Sequence, residues 1–166
     1  MFSLMNFENT VIKKLRENSQ MVINILEDIA IKKLNPRSGS IDFEVVVDEN
    51  WVNILINPHN HLDNGFIDEY VYNGYYNGYN EIISNIIFYE NEDMLQKDML
   101  FDNSEFLDKL CDSLEKILIK WFSDCVMASS LINKRVPIYV GIHESNIVFN
   151  IKEGYYESEI IHGIAL

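Results

Sequence analysis

Apolar residues recur at helical spacing at Leu4, Phe7, Val11, Leu15, Val22, Leu26 and Ile29, with Ile12, Ile23 and Ile25 widening the stripe and Lys13, Lys14, Glu17 and Glu27 outside it. Steps of three and four keep one face of a 3.6-residue helix apolar, which predicts a long amphipathic helix over about 6–34. Asn35-Pro36 ends it, because proline disfavours helical geometry in the residue before it, and Ser38-Gly39-Ser40 continues the turn. Ile41, Phe43, Val45 and Val47 then alternate with Asp42, Glu44 and Asp48, the period-two mark of a strand with one face buried. Val52, Ile54 and Ile56 repeat the alternation after Asp48-Glu49-Asn50, so the two runs predict an antiparallel hairpin.

Residues 57–80 are rich in Asn, Gly, His and Tyr and have no sustained period, which predicts a long irregular excursion. In 81–89 the isoleucine doublets suit a helix and the β-branched content suits a strand; the balance leans to a strand. Asp102 with Glu105 gives an N-terminal capping pattern. Phe106, Leu107, Leu110, Leu114, Ile117, Leu118, Trp121 and Cys125 then mark a second long helix over about 103–128. Val136, Ile138, Val140 and Ile142 alternate, Glu144-Ser145-Asn146 turns the chain, and Ile147, Phe149 and Ile151 return, with 155–161 as a further strand. The expectation is one α+β domain over 1–166, two long amphipathic helices packed on a twisted antiparallel sheet in the order α-β-β-(β)-α-β-β-(β). With Asn9 set on Ser104, Lys14 meets Lys109, Leu15 meets Leu110, Glu49 meets Glu144 and Ile56 meets Ile151. Any two helix–hairpin units share an apolar pattern, so the correspondence is read as architecture and not as duplication.

Charge narrows the function. Lys and Arg number 13 against 26 Asp and Glu, a net charge of -13. That field repels phosphate backbones and anionic lipid, disfavouring nucleic acid and membrane as partners, and it speeds association with a basic protein. Cys111 and Cys125 fall in the second helix about 21 Å apart, too far to bridge, and are expected as buried, inert thiols. No apolar run approaches the length of a membrane span, and Met1 to Phe7 lacks the basic start and long apolar centre of a signal peptide, so the expectation is a cytoplasmic protein.

Three segments carry candidate chemistry. On an extended chain His59, His61 and Asp63 would share one side, a possible zinc set, although neither an HExxH helix nor paired cysteines accompany it. No metal or other cofactor is therefore expected. Tyr72-Asn73-Gly74-Tyr75 is followed directly by Tyr76-Asn77-Gly78-Tyr79. Asn-Gly favours tight turns, and tyrosine offers a large contact area with a polar tip, the chemistry of binding loops. Carboxylates crowd residues 90–115, and Glu92, Asp93, Asp98 and Asp102 stand as the centre of a docking surface, with Tyr72, Tyr75, Tyr76 and Tyr79 as its aromatic part. His143-Glu144 has acid–base chemistry but sits at a hairpin tip, where a solvated turn is the simpler reading. Phosphate-binding glycine loops, GxGxxG and serine elbows are missing, so no catalytic residue is assigned.

In its acidity, long helices, sheet and tyrosine-rich segment the chain resembles the immunity proteins of bacterial toxin systems. The resemblance implies that the acidic surface covers the basic active-site cleft of a nuclease toxin and excludes its RNA or DNA substrate; a monomer or homodimer is expected. The order helix, strands, helix, strands in an acidic chain is also similar to that of type III secretion chaperones, which dimerise and wrap an unfolded effector. The chain is expected not to be an enzyme; the alternative is an unrecognised metal-dependent enzyme using His59, His61 and Asp63.

Overall fold

The computed structural model describes residues 4–34, 38–47, 50–60, 75–76, 80–88, 104–143, 145 and 147–158. Helix α1 spans Leu4–Ala30 and buries Phe7, Val11, Leu15, Val22, Leu26 and Ile29, the stripe that the spacing predicts. Asn18 occupies the one polar step of that stripe, and its amide donates to the Lys14 carbonyl at 2.8 Å, so the helix supplies its partner. Helix α2 spans Ser104–Ala128, and a single 3₁₀ turn, Ser130–Asn133, follows it and buries Leu131.

Six strands form one sheet: β2 (Ser38–Val47), β3 (Trp51–Asn60), β5 (Asn80–Ile87), β6 (Ile138–Ile142), β7 (Ile147–Asn150) and β8 (Tyr155–Ser158), in the order β5-β3-β2-β6-β7-β8. Two short strands, β1 (Lys33–Leu34) and β4 (Tyr75–Tyr76), pair parallel outside it. The class is α+β, but the sheet is mixed rather than antiparallel, because β2 and β6 run parallel at its centre. Parallel neighbours need a long crossover, and here α2 lies within it. Hairpin periodicity reveals only the strand next in sequence, so it could not show this pairing.

Other corrections are local. The first helix stops at Ala30, four residues short of the expected end, and Lys33–Leu34 turn into β1. The excursion is shorter than expected, since β3 continues to Asn60 and Tyr75–Tyr76 are strand. Val136 precedes β6 instead of belonging to it. Cys125 is buried as expected, but Cys111 is exposed.

Segment 80–87 is a strand, as its composition suggests, and its register against β3 shifts twice, between Val52 and Ile54 and between Ile54 and Leu55. Val52 pairs with Ile86 and Ile54 with Ile83, so Ser84 and Asn85 together oppose Asn53. Asn85 takes φ 53°, a left-handed conformation that asparagine tolerates better than most residues, and its N–H donates to Asn53 Oδ1 at 2.7 Å. The extra residue keeps both Ile83 and Ile86 in the core despite their odd spacing.

Three contacts tie α1 to α2 in the same order along both helices: Glu8 accepts from Ser113, Ser19 from Trp121, and Glu27 from Ser130 just beyond α2. The helices are therefore parallel, as are β2 and β6. The next strands break the correspondence, because β3 adds on one side of β2 and β7 on the opposite side of β6. Two copies of one unit would add them on the same side. Between helices and sheet, Phe43 and Phe122 meet edge to face with centroids 4.8 Å apart, and the core gathers Ile41, Val45, Ile54, Ile138 and Val140 around them.

Candidate functional site

The buried strand residues Ile41, Phe43, Val45, Val52, Ile54, Ile56, Val140 and Ile142 share the core with α1 and α2, so both helices cover the same face of the sheet. Alternation then sends the intervening residues to the other face, where no described helix packs. The registers lay those residues out in rows. Glu81, Leu55, Glu44, Gly141, Val148 and Glu157 form one line across all six strands. Asp42, Tyr139, Asn150 and Tyr155 form the adjacent row over β2, β6, β7 and β8.

Within that face, polar groups hold one another. Asn150, only 4% exposed, donates through Nδ2 to Glu157 Oε1 at 3.0 Å, and its Oδ1 accepts from the N–H groups of Lys152 and Glu153 at 3.2 Å each. That amide therefore fixes both the β7–β8 turn and the Glu157 carboxylate. Asn53 Nδ2 donates to Glu81 at 3.0 Å, and His143 Nδ1 contacts the Glu44 carboxylate. Tyr139 lies centrally and is 6% exposed. Burial, followed by the negative fields of Glu157 and Asp42, pushes its hydroxyl up to about 12, so it is a neutral hydrogen-bonding group throughout the physiological range. Tyr155 is also shifted upward, first by its hydrogen bond to Glu157.

The distribution of charge sharpens the picture. Asp42, Glu44, Glu81 and Glu157 lie in the six strands, and no Lys or Arg does. Lys13, Lys14, Arg16, Lys109, Lys116 and Lys120 all sit on the helices. Gly141 adds no side chain to the row between Glu44 and Val148, and Val148 packs over it.

The residues singled out from sequence fare differently. Tyr75 and Tyr76 form β4 opposite Lys33 and Leu34. Tyr72, Tyr79, Glu92, Asp93, Asp98 and Asp102 lie outside the described residues, as do His61, Asp63 and Glu144. His59 is in β3, opposite Ser40. Among the described residues no group of three or more His, Cys, Asp and Glu could hold a metal ion, and no helix is long and apolar enough to cross a membrane. Sequence reasoning passed over the sheet face, although one signal was present: the polar positions of the alternating runs include carboxylates and never a Lys or Arg. Comparison with protein-family models, with curated proteins and with solved structures finds no match.

Proposed function

We propose that this chain is a protein-binding module that holds a basic partner against the sheet face opposite α1 and α2. One observation carries the proposal: the six strands contain four carboxylates and no Lys or Arg, whereas the two helices carry six bases beside nine carboxylates. A one-signed face steers an oppositely charged protein to itself and rejects partners of like charge. Tyr155, half exposed beside Glu157, supplies the kind of aromatic contact on which interface energy concentrates.

The partner class that suits such a face is a nuclease-type toxin domain, since a cleft that binds nucleic-acid phosphates must be positive. Covering that cleft blocks the active site without any covalent step, the action of an immunity protein. The carboxylates Glu92, Asp93, Asp98 and Asp102 add to the same long-range attraction. The test is co-expression of the chain with a basic protein encoded beside it, followed by size-exclusion chromatography and an assay of the partner's nuclease activity. A complex that silences the activity, and that is lost in the Glu44→Lys, Glu157→Lys double variant, supports the reading. Silencing that survives the double variant would show that a different surface is used.

A further inference from the structure

A cleft of about 340 Å3 lies between α1 and α2, lined by residues of the two helices alone. Leu15, Trp121 and Cys125 are its buried members, and the half-buried side chains of Ile12, Ile23 and Ile117 are its apolar walls. Polar groups in the lining are used internally. The Trp121 indole N–H donates to Ser19 Oγ at 2.9 Å, while the Ser19 hydroxyl donates to the Leu15 carbonyl at 3.1 Å. Burial pushes the Cys125 thiol up to about 11, which keeps it neutral. At the edge, Lys120 Nζ is bound to both Asp124 oxygens, at 2.9 and 3.2 Å, so those two charges cancel locally. Arg16 is the remaining charge. It is exposed, lines the cleft, and forms no hydrogen bond or ion pair with another described residue.

We propose that this cleft binds a small amphipathic carboxylate, with the hydrocarbon part on Ile12, Ile23, Ile117 and Trp121 and the carboxylate on the Arg16 guanidinium. The volume falls at the lower end of the range for small-molecule sites, roughly 300 to 1,000 Å3. An apolar lining with a single orienting polar group is the usual composition of such sites. Charge complementarity selects the head group. In a chain of 26 acids and 13 bases an anion is repelled almost everywhere, and here a guanidinium stands clear with two parallel N–H donors that match a carboxylate. This site is separate from the sheet face and does not depend on the function proposed for it.

The experiment uses the full chain with Trp51→Phe, so that Trp121 is the sole indole, and decanoate below its micellar concentration as the probe. Decanoate is expected to change the Trp121 emission saturably, with one equivalent bound. Arg16→Gln is expected to weaken binding about tenfold or more, since hydrogen bonds to charged groups exceed neutral ones. Decanol should bind far more weakly than decanoate. Ile117→Phe, which fills the cleft from one wall and adds no indole, should abolish the response while leaving the circular dichroism spectrum unchanged. An absent or unsaturable change, equal binding of decanol, or unaltered affinity in Arg16→Gln overturns the proposal.

Discussion

Gly141 and Val148 face each other across β6 and β7 so closely that a Cβ built on Gly141 would stand 3.0 Å from Val148 Cγ1. Gly141 has no positive φ, so the requirement here is space and not backbone freedom. Gly141→Ala is expected to destabilise by about 1 to 3 kcal/mol, the usual cost of overpacking. Val148→Ala in the same chain should recover part of that loss, because it removes the atom that the new methyl meets. Urea unfolding of the two single variants and the double variant measures the coupling. Strict additivity would show that the strands separate to absorb the methyl.

The Ser19–Trp121 hydrogen bond joins the two parallel helices near their middles, with Trp121 8% exposed. Ser19→Ala leaves the indole N–H facing apolar surroundings and is expected to cost about 1 to 3 kcal/mol. Trp121→Phe removes donor and ring area together. The double variant should cost less than the sum of the two, since removing both partners leaves no unpaired group. Thermal unfolding followed at a far-ultraviolet wavelength gives all three values.

How far the sequence reveals the fold can be judged residue by residue. Phe7, Val11, Leu15 and Val22 mark α1 because a surface helix must repeat its buried face every turn, and all four are buried. Ile83 and Ile86 kept helix and strand in balance for a physical reason: the bulge at Asn85 inserts a residue, which turns a strand's even spacing into a helical-looking three. The β2–β6 pairing is invisible to periodicity, since alternation in Ile41–Val45 and Ile138–Ile142 tells which face is buried but not which strand lies alongside. The candidate site divides in the same way. Asp42 and Glu44 are readable as outward positions of one strand, but their alignment with Tyr139 and Gly141 exists only once β6 pairs with β2.

The two cysteines should separate cleanly by reactivity. Cys111 is exposed and Cys125 is 3% exposed, so a disulfide reagent at pH 8 should titrate one thiol per native chain and two in denaturant. Alkaline stability follows from the buried groups. Cys125 is raised from 9.0 to about 11 and Tyr139 from 10.0 to about 12. Between those limits the unfolded chain gives up protons that the folded chain keeps, so stability is intact below pH 9 and falls as pH rises through about 11 and 12. Cys125→Ala should remove the early part of that loss, between about 9 and 11. Urea midpoints collected every half unit from pH 8 to 12 test it, and a flat profile for the parent chain would contradict the burial of both groups.

Charge placement, as distinct from net charge, is the last quantity to vary. Glu44→Lys with Glu157→Lys puts two cations on the sheet face opposite α1 and α2, while Asp28→Lys with Asp112→Lys makes the same change in net charge on exposed helix positions. Long-range attraction falls off over a Debye length, about 8 Å at physiological salt, so only charges near the docking face act strongly on the encounter. Stopped-flow association with a basic partner should therefore slow by about tenfold or more for the sheet pair and much less for the helix pair. The parent rate should fall steeply with added salt, and the sheet variant should lose most of that dependence. Equal slowing by both pairs would mean that the partner responds to the overall field of the molecule, and the face carrying Asp42, Glu44, Glu81 and Glu157 would then have no special claim as the place where it docks.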